Sequence, residues 1–136
     1  MTHPGSTEHG EQATVIAWAN LHTGRWPALR WLHAVPNWRV KKEHRIYMAE
    51  EGVKKGVADL CLPTARGGYF GLYVEMKRDK KSVATSEQIE FLEFVAAEGY
   101  QGKICHGADE AIAVLEEYLA MPRTAHPALV DELDAD

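Results

Sequence analysis

Gly56-Val57-Ala58-Asp59-Leu60-Cys61-Leu62, followed after a break by Gly71-Leu72-Tyr73-Val74-Glu75-Met76-Lys77, is the stretch whose reading decides the fold. Val57 to Leu62 is β-prone and stops at Pro63, which cannot donate to a ladder. Arg66-Gly67-Gly68 supplies turn chemistry, and Tyr69 to Lys77 reads as a second strand, so the two runs predict a hairpin with a loop of a few residues. Alternation puts Tyr73, Glu75 and Lys77 on one face and Leu72, Val74 and Met76 on the other. Leu60 and Leu62 join the apolar face, which leaves Asp59 pointing the same way as Glu75. Two carboxylates and a lysine converging at mid-sheet are costly unless they are paired or hold a metal ion. Acids on adjacent strands aimed at one spot suit a hard divalent cation, to which the backbone carbonyl of Met76 could add an oxygen. Lys77 then falls within reach of a water on that ion and of charge building on a phosphate. The pattern is one for metal-assisted phosphodiester hydrolysis.

Outward from this hairpin, Thr85-Ser86-Glu87-Gln88 opens a helix to about Glu98, stopped by Gly99. Thr85 and Gln88 have capping-box spacing, which alone would explain the glutamine. Gly102-Lys103-Ile104-Cys105-His106 reads as a strand, and Asp109 to Leu119 as a closing helix with Ile112, Leu115 and Leu119 inward. On the other side, residues 7–22 read as a helix capped by Ser6 or Thr7, with Glu11, Val15, Trp18 and His22 on one stripe. Leu29 to Val35 looks like a strand closed by Pro36-Asn37, and residues 39–51 like a helix ended by Gly52. The order α-β-α-β-β-α-β-α predicts an α/β domain over residues 7–120, a central mixed sheet flanked by helices. Residues 121–136, with Asp131, Glu132, Asp134 and Asp136, are expected to form a loosely held acidic tail.

Gly56-Val57-Ala58-Asp59-Leu60, Gly71 to Lys77 and Ser86-Glu87-Gln88, with Val35-Pro36-Asn37, Gly52-Val53-Lys54-Lys55-Gly56 and Gly99-Tyr100 around them, resemble the VRR-NUC (virus-type replication-repair nuclease) family. That family belongs to the PD-(D/E)xK nucleases, and the resemblance spans roughly residues 8–119, implying their restriction-endonuclease-like core. It implies that Asp59 and Glu75 bind the metal, Mg²⁺ or Mn²⁺, and that Lys77 is the catalytic lysine. It also implies an acid on the first helix, matched by Glu11 with Glu8 as competitor one turn earlier, and a catalytic glutamine, matched by Gln88. The expected metal set is therefore Glu11, Asp59, Glu75 and Met76, and the catalytic set Asp59, Glu75, Lys77 and Gln88. The family usually has proline before the aspartate; Ala58 stands there instead, and proline is not a ligand.

The overall balance argues against a nucleic-acid partner until it is divided. The 136 residues hold 15 Lys and Arg against 20 Asp and Glu, for a formal charge of −5. Residues 25–81, however, hold thirteen of the basic residues against six acids, while residues 82–120 hold Lys103 against eight acids. A basic half beside an acidic half suits an anionic partner on one side. Beside a phosphodiester-cleaving centre, Asn37, Arg39, Lys41, Lys42, Lys54, Lys55, Arg78 and Lys80 are the expected DNA contacts, with Arg45 and Lys81 near them; a solvated helix face accounts for the same pattern. Trp31, Trp38, Tyr47 and Tyr69 could stack on bases, though for any one of them core packing is the commoner role.

Ordinary globular usage, 46% hydrophobic and 26% charged, excludes wholesale disorder. No apolar run approaches the roughly 20 residues of a membrane span. Cys61 and Cys105 lie far apart and His33, His44 and His106 lack ligand spacing, so a disulfide scaffold and a zinc site are not expected, and a reducing cytoplasm is, that of a bacterial host if the chain is phage-encoded. The resemblance implies a stand-alone endonuclease of DNA replication or repair, similar to virus and phage enzymes acting on branched DNA. Symmetric cutting of a Holliday junction would need two active sites and hence a homodimer; a flap is the companion substrate. A nickase of duplex DNA and a non-cleaving DNA-binding subunit are the alternatives.

Overall fold

The computed structural model describes residues 7–36 and 41–125. Asn37, Trp38 and Arg39, expected to meet DNA, and Ser6 as a helix cap lie outside the described residues, as do residues 126–136.

The described elements are α1 (Glu8–Leu21), β1 (His33–Ala34), α2 (Arg45–Glu50), β2 (Leu60–Leu62), β3 (Leu72–Lys77), α3 (Ser86–Ala97), β4 (Gln101–His106) and α4 (Ala108–Ala120). The four strands form one mixed sheet in the order β1-β2-β3-β4, antiparallel except for β3 and β4, which run parallel and are joined through α3. Two hydrogen-bond ends fix α3 and α1. Thr85 and Gln88 form a reciprocal capping box at the start of α3, and the Thr7 hydroxyl accepts from Gly10 N–H at 2.9 Å at the start of α1.

The faces of β3 divide as alternation requires. Leu60, Leu62, Leu72, Val74, Met76 and Cys105 meet Val15 and Ala19 of α1 and Ala111, Leu115, Tyr118 and Leu119 of α4 in one buried cluster. On the opposite face the Tyr73 ring packs edge-on against Phe91 of α3, centroids 5.1 Å apart, and Gln88 of α3 reaches Glu75 and Lys77. Glu75, Lys77 and Gln88 thus lie between the sheet and α3, and the apolar layer lies behind them.

Three segments differ from the sequence expectation. Leu29 to Val35 is not one strand: Pro27–Trp31 forms a 3-10 turn and only His33 and Ala34 pair with β2. Pro27 presets the helical dihedral at its start, and the two buried leucines, Leu29 and Leu32, are three residues apart, a helical spacing. The second helix is shorter than 39–51, a 3-10 turn at Lys42–His44 running into α2. No residue of α2 is buried, so it has little apolar face to extend it. Between Leu62 and Leu72 the hairpin connection is long, and it is pinned by an isolated bridge between Arg66 and Arg123. Beyond Ala120 the packed chain continues at least to Thr124, which is buried and whose hydroxyl donates to the Tyr69 carbonyl.

Candidate active site

Register brings the acids together. Leu60 pairs with Val74, and one step further the same register sets Asp59 opposite Glu75. The ladder stops there because the Asp59 carboxylate takes the place of a backbone acceptor: its Oδ2 receives the Met76 N–H at 2.8 Å. The Asp59 carbonyl meanwhile turns away and accepts from Val35 N–H at 2.8 Å. The carbonyls of Gly71 and Lys77 accept from β4 and the residue after it, so the alternating backbone of β3 turns the polar groups of Met76 toward β2 and Asp59. The Met76 carbonyl therefore lies on the edge where a ligand of Asp59 would sit.

From the start of α1, Glu8 completes the group. One carboxylate oxygen of each of Glu8, Asp59 and Glu75 lies within 4.8 Å of the others. Asp59 and Glu75 are buried and Glu8 half-buried. The helix acid expected from sequence was Glu11, and the structure takes it elsewhere. Its Oε1 accepts from the Ala108 N–H at 2.8 Å, so the buried carboxylate caps the first turn of α4. Glu11 and Val15 are both buried on α1, whereas Glu8 is half-buried one turn earlier.

Lys77 is buried beside Glu75, its Nζ 3.8 Å from Glu75 Oε2. A single glutamine aligns both. Gln88 Oε1 accepts from Lys77 Nζ at 2.9 Å and from Thr85 N–H at 2.8 Å, while its Nε2 donates to Glu75 Oε2 at 3.1 Å. The two readings of Gln88, helix cap and site residue, are one side chain performing both tasks. Its cap holds the amide still, and the amide holds the lysine.

The basic residues are less concentrated. Lys41, Lys42, Lys54, Lys55, Arg78 and Lys80 are all exposed. Lys55 lies 3.6 Å from Glu87 of α3, and Arg78 lies 3.3 Å from Asp79, so both meet carboxylates at the rim. Lys54 and Lys55 immediately precede the turn into Asp59, and Arg78 and Lys80 follow Lys77, which keeps both groups beside the acids along the chain.

Three carboxylates gather beside the Lys77 ammonium, two of them on buried side chains. All the donors are oxygens, a set that suits a hard divalent cation. Glu8, Asp59 and Glu75 thus fit a divalent cation.

The sequence matches the VRR-NUC domain over residues 6–109. The chain belongs to the VRR-NUC family. Among solved structures it resembles a VRR_NUC domain protein, with 32% identity and a TM-score of 0.75 over 89% of this chain and 94% of that one. Comparison with curated proteins gives no match. A mixed sheet flanked by helices, with the acids at the end of β2 and on β3, is the VRR-NUC nuclease fold in this chain.

Proposed function

We propose that this VRR-NUC domain, residues 7–120, is a divalent-metal-dependent endonuclease that hydrolyses DNA phosphodiester bonds. The observation that carries the reading is the convergence of Glu8, Asp59 and Glu75 within 4.8 Å beside a lysine that Gln88 holds at 2.9 Å. Glu8, Asp59 and Glu75, with the Met76 carbonyl, are the groups that would hold Mg²⁺ or Mn²⁺. A cation bound there supplies Lewis acidity and positive charge next to the scissile phosphate.

The chain's own groups do the rest. Lys77 has three donors, of which one is given to Gln88 and one faces Glu75. The third is available to a non-bridging phosphate oxygen or to the attacking water, and its charge offsets charge that develops in the transition state. Gln88 fixes the ammonium so that little reorganisation is needed when the phosphate arrives. Asp59 is anchored by the Met76 N–H, which fixes its carboxylate at the end of β2. Lys41, Lys42, Lys54, Lys55, Arg78 and Lys80 serve as sequence-independent phosphate contacts.

Branched DNA is the proposed substrate, a Holliday junction cut by a homodimer or a flap, because a chain with one such site cuts two strands symmetrically only as a pair. Purified protein with Mg²⁺ or Mn²⁺ and labelled four-way junction, flap and duplex tests this. Cleavage of junction or flap ahead of duplex, lost in Asp59→Asn and Lys77→Ala, is the expected result. Preferential nicking of duplex would replace the substrate; no cleavage of any DNA with either metal would leave a binding subunit and defeat the enzyme reading.

A further inference from the structure

A second feature lies at the opposite end of β2 from Asp59. Pro27 and Trp31 of the 3-10 turn, Pro63 and Arg66 of the long hairpin connection, and Arg123 line an open pocket of about 490 Å³. It shares no residue with the acidic centre. Arg66 and Arg123 are the two partners of an antiparallel bridge, held by Gly67 N–H to Pro122 O at 2.7 Å and Thr124 N–H to Ala65 O at 3.3 Å. Directly opposed side chains start about 5 Å apart, and like charges in that position destabilise the pair. Burial, and next the charge of Arg123, lower the Arg66 guanidinium from its usual value, with Tyr118 opposing. Among the described residues no carboxylate lies within ion-pair distance of either arginine. One Arg66 donor, Nη1, is used by the Ala65 carbonyl at 2.8 Å; a guanidinium has four more.

The third wall is aromatic. Trp31 is 60% exposed although it is among the largest apolar side chains in the protein, and the Arg30 guanidinium sits 4.9 Å from its ring. Two arginines placed against each other, with donors to spare, ask for an anion with several acceptor oxygens. An exposed indole in the same pocket asks for a flat, apolar-faced partner. Phosphate and base are joined in that way in one molecule, the nucleotide.

We infer that this pocket binds a nucleotide unit of single-stranded nucleic acid, with its phosphate between Arg66 and Arg123 and its base stacked on Trp31. The pocket gives the protein a hold on a strand away from the point of cleavage. A free mononucleotide has the same chemistry, and the experiment separates the two.

Full-length protein is titrated in chelator with a labelled oligothymidylate of about 8 nucleotides, and anisotropy is followed across salt concentrations. Arg123→Gln and Arg66→Gln should each weaken binding about three- to tenfold and lower the slope of log affinity against log salt by about 0.7. Trp31→Ala should weaken it about tenfold with the slope unchanged, and Arg123→Lys should keep the parental slope. Urea midpoints check folding; Arg123 is exposed, so its variants remain informative if Arg66→Gln unfolds. Parental affinity and slope in Arg123→Gln and Trp31→Ala would overturn the inference. So would an oligonucleotide that binds no more tightly than thymidine monophosphate, which would make this a mononucleotide pocket. Because no cleavage is read, loss of binding in these variants stands even if the protein cuts nothing, and unchanged binding sinks the pocket even if the protein is an active nuclease.

Discussion

Glu8 and Glu11 are three residues apart on one helix and do different work. Glu8 is grouped with Asp59 and Glu75, while Glu11 spends its carboxylate on the Ala108 N–H. Removing Glu11 leaves a buried donor without an acceptor, which costs about 1–3 kcal/mol; Glu8 contributes charge to a half-buried site and little packing. Glu8→Gln is therefore expected to reduce cleavage at least about tenfold while leaving the urea midpoint close to parental. Glu11→Ala should lower the midpoint and retain most of the activity of the folded fraction. If Glu11→Ala abolishes cleavage at parental stability, Glu11 is the ligand after all. The thiol of Cys105 makes a separate prediction. Burial, and then the charge of Glu110, push it up to about 12 against the partial opposition of Lys103. An unfolded thiol ionises near the ordinary value of 9.0, so the unfolded chain loses this proton first. The contribution is intact below pH 9 and is lost as pH rises from 9 towards 12. Urea midpoints should fall over that window, and Cys105→Ala should flatten the fall; an unchanged slope would show that tyrosines and lysines account for it.

Elements with a strong local reason to form were legible in the sequence. The capping box at Thr85 and Gln88 fixes the start of α3 without help from the fold, and the alternation of β3 needs only its apolar residues to find a core. The stretch Pro27 to Val35 was not legible, because apolar residues that alternate as a strand also recur at helical spacing, and a proline at the first position tips the balance. The identity of the helix acid was not legible either: only the position of α4, distant in sequence, decides that Glu11 has another partner. A similar long-range constraint explains Gly56. Its φ is +91°, and a Cβ there would come 2.7 Å from the Glu87 carbonyl at the start of α3. That approach sets how the segment leading into Asp59 meets the helix carrying Gln88. Gly56→Ala should destabilise the protein by about 1–3 kcal/mol and lower cleavage as well, because both sides of the site are disturbed. Parental values of urea midpoint and rate would show that this loop can move without moving Asp59.

Across the whole molecule, charge is distributed by position in the fold more than by position along the chain. The acidic stretch 82–120 contributes Gln88, which reaches Lys77, and Glu87, which meets Lys55, so part of it borders the acidic centre. Lys54, Lys55, Arg78 and Lys80 flank in sequence a centre that is itself rich in carboxylate. No helix among the described residues is long and apolar enough to cross a membrane. A consequence follows for stability without any substrate. The carboxylates of Glu8, Asp59 and Glu75 come within 4.8 Å of one another through the fold, so an ion that binds only the folded site must stabilise it. At a hundred times the dissociation constant the gain is about 2.7 kcal/mol, several degrees in melting temperature for a domain of this size. Mn²⁺ or Mg²⁺ should therefore raise the melting temperature of the parent in proportion to the logarithm of its concentration, and excess chelator should reverse the shift. Asp59→Asn keeps an acceptor for the Met76 N–H while removing one of the three charges. Its melting temperature should gain much less from the metal than the parent's does. A metal shift of parental size in Asp59→Asn would mean that the ion binds somewhere other than between Glu8, Asp59 and Glu75.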